Sequence, residues 1–125
     1  EQIIKHINKV TGPYDVNSFA VAAANAALDD QAYIDNYVSK VKEARNWIKE
    51  KFESLDIRYN FNGGNYFLIW PNQSPEDLEK GMKENGILIR NMKNKKDINQ
   101  SVRVSIGVIE QMKLFWEIYT KLDQK

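Results

Sequence analysis

Apolar residues recur along the chain in two rhythms, and the change between them divides it. Over residues 1–10, Ile3, Ile4, Ile7 and Val10 fall on one helical stripe, and Thr11, Gly12 and Pro13 break the run. Asn17 or Ser18 then offers an N-cap to the segment from Phe19 to Leu28, which is almost entirely small and apolar. A helix apolar on all sides is a buried helix, so this one is expected to be enclosed on several sides. Asp29 and Asp30 close it and can cap the next. Over 31–54, Tyr33, Tyr37, Val41, Ala44, Ile48 and Phe52 recur at steps of three and four, with Trp47 beside them and charged residues on the other face. That spacing predicts a helix of about 36 Å. This is long for a 125-residue chain, and the helix is expected to brace more structure than the chain contains.

The rhythm then shortens. Ile57 to Tyr59 alternates, Asn62-Gly63-Gly64 signals a tight turn, and Tyr66 to Trp70 is an apolar run bounded by Pro71, so a β-hairpin is expected. Ser74, Pro75, Glu76 and Asp77 open a helix through about Asn85. Ile87 to Arg90 reads as a short strand, residues 91–100 as a polar, basic loop, and Val102 to Ile106 as an alternating strand. After Gly107, the stripe of Ile109, Met112, Trp116, Tyr119 and Leu122 predicts a final helix. The second half is thus β-β-α-β-β-α. The fold class is α+β: a small, mostly antiparallel sheet covered on one face by helices, with the long helix bracing it from the N-terminal side.

Composition narrows the chemistry more than the fold. With 42% hydrophobic and 28% charged residues the chain is an ordinary globular sequence, and its length bounds it to one domain, residues 1–125. The absence of cysteine excludes disulfides, thiolate metal sites and a cysteine nucleophile, and fits a cytoplasmic origin. A single histidine, His6, excludes two-histidine metal motifs and reads as a surface residue. A net charge of +1 supplies no global field toward nucleic acid, and no apolar run approaches the length of a membrane span. The chain opens on Glu1 rather than methionine, which is expected of a piece of a longer protein.

Among the remaining polar residues, acids at 29, 30, 76, 77 and 79 sit at helix starts, where capping accounts for them. The aromatics Tyr37, Trp47, Phe52, Phe115 and Trp116 follow helical spacing and are assigned to the core. Two arginines stand out. Arg90 ends one predicted strand and Arg103 lies near the start of the next. If these strands pair antiparallel through the loop between them, both arginines lie at one end of the sheet. Val102, Val104 and Ile106 then face the helices, while Arg103, Ser105 and Gly107 face away. A guanidinium there needs water, a neighbouring carboxylate such as Glu110, or an anionic ligand, for which its planar fork is suited. Lys93, Lys95 and Lys96 add charge to the loop, which leaves open a free-standing anion- or nucleic-acid-binding module, although no aromatic is interleaved there to stack bases.

An ordered set of motifs resembles one family. Thr11-Gly12-Pro13-Tyr14-Asp15-Val16-Asn17-Ser18 precedes the alanine-rich helix. Gly64-Asn65-Tyr66-Phe67 follows the turn, Gly86 to Arg90 follows the middle helix, and Val102-Arg103-Val104-Ser105-Ile106-Gly107 is followed by Glu110. In this order they resemble the C-terminal part of the histidinol-phosphate aminotransferases, pyridoxal-phosphate enzymes of the aspartate-aminotransferase fold. The resemblance implies the small domain of a dimeric, cytoplasmic aminotransferase, with residues 1–17 as an inter-domain segment. It also implies that pyridoxal 5'-phosphate and the lysine that carries it belong to a large domain upstream, so that this chain holds no catalytic residue. It implies that Arg103 holds the substrate α-carboxylate and that Arg90 helps hold a phosphate end. The partners implied are a small amino- or oxo-acid substrate and the large domain, with neither nucleic acid nor membrane. Val108 departs from the family's frequent threonine and Asp15 from its frequent asparagine. Both leave the fold unchanged and bear on the substrate.

Overall fold

The computed structural model describes residues 2–7, 9 and 16–123. It divides into two compact units, residues 1–36 and 37–125.

The first unit is helical. Helix α1 spans Gln2–Ile7 and α2 spans Ser18–Asp29. Asn17 is the N-cap of α2, accepting a hydrogen bond from the Ala20 amide at 2.9 Å. Asp30 follows α2 and caps the next helix, α3 (Gln31–Ser54), by accepting from the Tyr33 amide at 3.1 Å. The expected break at 11–13 and the departure at Asp15 lie outside the described residues. The expectation that α2 is enclosed does not hold: none of its residues is buried, and Phe19 is 90% exposed. Its composition is that of a buried helix, but no described part of the chain covers it.

The second unit holds the core. The rest of α3 leads to β1 (Tyr59–Asn60), β2 (Tyr66–Ile69), α4 (Pro75–Glu84), β3 (Arg90–Asn91), β4 (Val102–Ser105) and α5 (Ile109–Leu122). The four strands form an antiparallel sheet in the order β1-β2-β4-β3. Phe67 and Ile69 of β2 and Val102 and Val104 of β4 point one way. They pack with Ala44, Ile48 and Phe52 of α3, Leu78 and Met82 of α4, and Met112, Phe115, Ile118 and Tyr119 of α5. Phe52 is the hub: its ring centroid lies 5.1 Å from that of Phe67, edge-on, and 5.9 Å from that of Trp116. Only the C-terminal half of α3 is buried. Tyr37, assigned to the core by its spacing, is 48% exposed.

The helix ends follow from local chemistry. Ser74 caps α4, exchanging hydrogen bonds with Asp77 through the amide (3.2 Å) and the carboxylate (2.7 Å). At its other end Gly86 takes φ 78°, while its amide and that of Ile87 donate back to Lys83 and Met82. That turn redirects residues 87–89, so the predicted strand over Ile87–Arg90 is reduced to Arg90–Asn91. Ile87 and Ile89 still pack on the core from outside the ladder, but Leu88 is 79% exposed. Val108 supplies no side-chain cap to α5. Its amide donates instead to the Gln111 side chain at 3.2 Å.

One polar cluster ties the far end of α5 to the loop between β2 and α4. The Asp123 carboxylate is nearly buried and accepts from the amides of Asn72 and Gln73, each at 3.0 Å, and from the Tyr119 hydroxyl at 2.7 Å. Three donors compensate a charge that would otherwise be costly to bury. Burial, reinforced by the bond to Asp123, pushes the Tyr119 phenol far above its ordinary value.

Candidate functional site

Strand β4 alternates. Val102 and Val104 enter the core, whereas Arg103 is half-buried and Ser105 exposed on the opposite, open face. The register carries this alternation across the sheet. Leu68 is opposite Arg103, Tyr66 opposite Ser105, and Asn60 opposite Leu68, so all belong to the open face. On the other side, β3 sets Arg90 directly against Arg103. Directly opposed residues emerge on one face with Cα atoms about 5 Å apart. The two arginines singled out in the sequence therefore converge more closely than a shared sheet end requires.

Like charges directly opposed across a ladder destabilise it unless something neutralises them. Among the described residues the ion pairs are Lys49–Glu53, Lys93–Glu76 and Lys121–Glu117, and none involves Arg90, Arg103 or Glu110. Each guanidinium is a planar cationic fork with five donors and no acceptor, so neither can satisfy the other. An anion with several acceptor oxygens matches the pair in charge and in geometry.

Two of the arginines on this face lie on aromatic rings of β2 and its extension. The Arg103 guanidinium carbon is 5.2 Å from the Tyr66 ring centroid, and that of Arg58 is 4.1 Å from Trp70. Trp70 also donates from its indole nitrogen to the Asn99 carbonyl at 3.0 Å. This fastens the basic loop, where Asn94, Asp97 and Gln100 all take positive φ and the Asn99 side chain accepts from the amides of Asn94 and Gln100. Lys93 of that loop is engaged by Glu76 at 2.7 Å, and its hydrogen bond holds the Glu76 carboxyl below the usual range. Sequence reasoning missed both rings. The signal was there in the alternation Tyr66, Leu68, Trp70, but the register that puts it beside Arg103 was not.

The other candidates resolve simply. Asn62-Gly63-Gly64 is the hairpin turn, with Gly63 at φ 70° and the Gly64 amide donating to Asn62 at 2.8 Å. His6 is exposed, its Nδ1 lying 2.8 Å from the Gln2 carbonyl oxygen. No described lysine is buried; the most covered, Lys51, rests over the Trp47 ring. Among the described residues no helix is long and apolar enough to cross a membrane.

Fold and site can be compared with known proteins. No family model matches the chain. It is 33% identical over 112 residues to the histidinol-phosphate aminotransferase of Citrifermentans bemidjiense, covering 89% of this chain and 32% of that protein. It is 34% identical over 99 residues to the enzyme of the same name from Acinetobacter baylyi, covering 78% and 27%. The histidinol-phosphate aminotransferase structure from Clostridium acetobutylicum superposes with a TM-score of 0.74 at 25% identity, over 98% of this chain and 38% of that one. The Sinorhizobium meliloti enzyme, crystallised with pyridoxal-5'-phosphate, shares the fold with a TM-score of 0.74 at 21% identity, over 96% and 33%. The α+β layer is that of aminotransferase structures. The chain is histidinol-phosphate aminotransferase-like, and it spans about a third of the length of the curated relatives it matches. These relatives give no support to the rival reading as a free-standing nucleic-acid-binding module.

Proposed function

We propose that residues 1–125 are the C-terminal small domain of a pyridoxal 5'-phosphate-dependent aminotransferase, with residues 1–17 leading in from a large domain. The whole protein moves an amino group between an amine, phosphorylated or not, and a 2-oxo acid, and histidinol phosphate is the first amine to try. It works as a cytoplasmic homodimer. The observation that carries this reading is the register pairing of Arg90 with Arg103 on one sheet face, with neither in an ion pair among the described residues. Arg103 holds the α-carboxylate of the amino- or oxo-acid substrate, and Arg90 helps hold the phosphate end of a phosphorylated amine. Two fixed anchors orient the amine and reduce the entropy lost on reaching a reactive geometry. The cofactor supplies electron withdrawal from the amine carbon when bound. It and its lysine belong to the large domain, and this chain alone is inactive. The exposed apolar residues of α2 are where the large domain packs.

The test is a half-reaction with the longer protein. Histidinol phosphate is expected to bleach the absorbance of the enzyme-bound cofactor aldehyde, while unphosphorylated amines of similar size do so more slowly. No bleaching with any amine contradicts the aminotransferase reading, and equal rates contradict the phosphate role of Arg90.

A further inference from the structure

We propose that Tyr66 is a positioning residue for Arg103, and that Gly64 is glycine so that the Tyr66 ring can lie there. The inference rests on the anion-binding reading of the arginine pair and adds a residue that acts through it.

The strand order puts β2 and β3 on opposite sides of β4. Arg103 therefore has Arg90 on one flank and β2 on the other. Tyr66 is opposite Ser105, two residues along the same face, and its ring comes within 5.2 Å of the Arg103 guanidinium carbon. A guanidinium is attracted to the face of an aromatic ring. The ring thus draws the Arg103 fork to the side away from Arg90. That lessens the repulsion between two directly opposed cations and keeps a gap between them for an anion. An unanchored arginine would sample many rotamers, and ordering it on binding would weaken affinity.

Support for the ring comes from the hairpin turn. A Cβ on Gly64 would stand 2.8 Å from the Tyr66 ring, too close for either to stay in place. Gly63 beside it needs its positive φ, but Gly64 has no such need. The requirement at 64 is for space, and the space is filled by the ring. Leu68, between Tyr66 and Trp70 on the open face, is only 5% exposed, so this patch is covered by its neighbours rather than left to water.

The experiment is a titration of the longer protein with inorganic phosphate, followed through the arginine Nε–Hε signals. Tyr66→Leu is expected to raise the phosphate Kd about fivefold, the effect of losing one cation–π contact. Tyr66→Phe should bind like the parent, because the ring and not the hydroxyl does the positioning. Gly64→Ala should weaken binding in the same direction as Tyr66→Leu. Arg90→Lys and Arg103→Lys test the underlying reading, and phosphate binding that survives both unchanged overturns that reading and this one together. If Arg103→Lys weakens binding but Tyr66→Leu does not, the positioning role alone is overturned. Tyr66→Phe as weak as Tyr66→Leu overturns it too. Should Tyr66→Leu fail to fold, the parent decides: the Arg103 Hε signal must be displaced upfield by the ring current, and a signal at the free-arginine position contradicts the proposal.

Discussion

The two faces of one strand differ in nearly everything. Val102 and Val104 are sealed among aromatic and aliphatic side chains, whereas Arg103, between them, opens on a face that also carries Arg90 and Arg58. The first face is held by burial, at about 25 cal/mol for each Å² of apolar surface removed from water. The second gains less of it: Leu68 there is buried, but Arg103 is only half-buried and stands directly against Arg90. Folding alone explains the valines. It does not explain two opposed arginines that form no ion pair among the described residues, and that unexplained cost is where binding is to be sought.

Stability measurements on variants of the two faces test this contrast. The largest effect belongs to the core face: Phe52→Ala, at the aromatic hub, should cost about 3–5 kcal/mol and lower the urea midpoint accordingly. Next is Asp123→Ala, which strips two amides and a buried phenol of their acceptor and should cost about 3 kcal/mol. A smaller, pH-dependent effect comes from Tyr119. Its folded-state pKa is raised, so its contribution is full below the ordinary tyrosine value of about 10 and declines as pH rises beyond it, where the unfolded chain ionises first. Thermal melts through that range should fall more gently in Tyr119→Phe than in the parent. The smallest effect belongs to the open face. Arg90→Ala should change stability by less than about 0.5 kcal/mol, or raise it, because it removes a like-charge pair. A large loss there would mean that the arginine is structural.

Much of this fold was legible in the sequence. The bounds of α3, the cap of α4 at Ser74, the hairpin and the inward valines of β4 all follow from periodicity and turn chemistry. The strand over 87–90 misled, because three apolar residues in a row look alike whether they join a ladder or pack beside it. The Gly86 turn decides between these, and its geometry is not periodic. Helix α2 misled for a different reason: its composition anticipates cover that the described chain does not supply. The candidate site was half legible. Resemblance and strand order pointed to Arg90 and Arg103. Their exact opposition depends on register, as does the stacking on Tyr66 and Trp70, and register is set by packing between strands distant in sequence. Asp123 escaped notice because two of its three partners, the amides of Asn72 and Gln73, lie about fifty residues away.

The central claim is that the arginine pair holds the substrate's anionic groups. Its most direct test is the steady-state kinetics of Arg103→Lys in the longer protein, with cofactor absorbance recorded on the same samples. A lysine keeps the charge but loses the planar fork, so catalytic efficiency should fall by about two orders of magnitude while the cofactor spectrum stays unchanged. Unaltered kinetics would contradict the claim, as would a loss of activity that merely tracked a loss of cofactor.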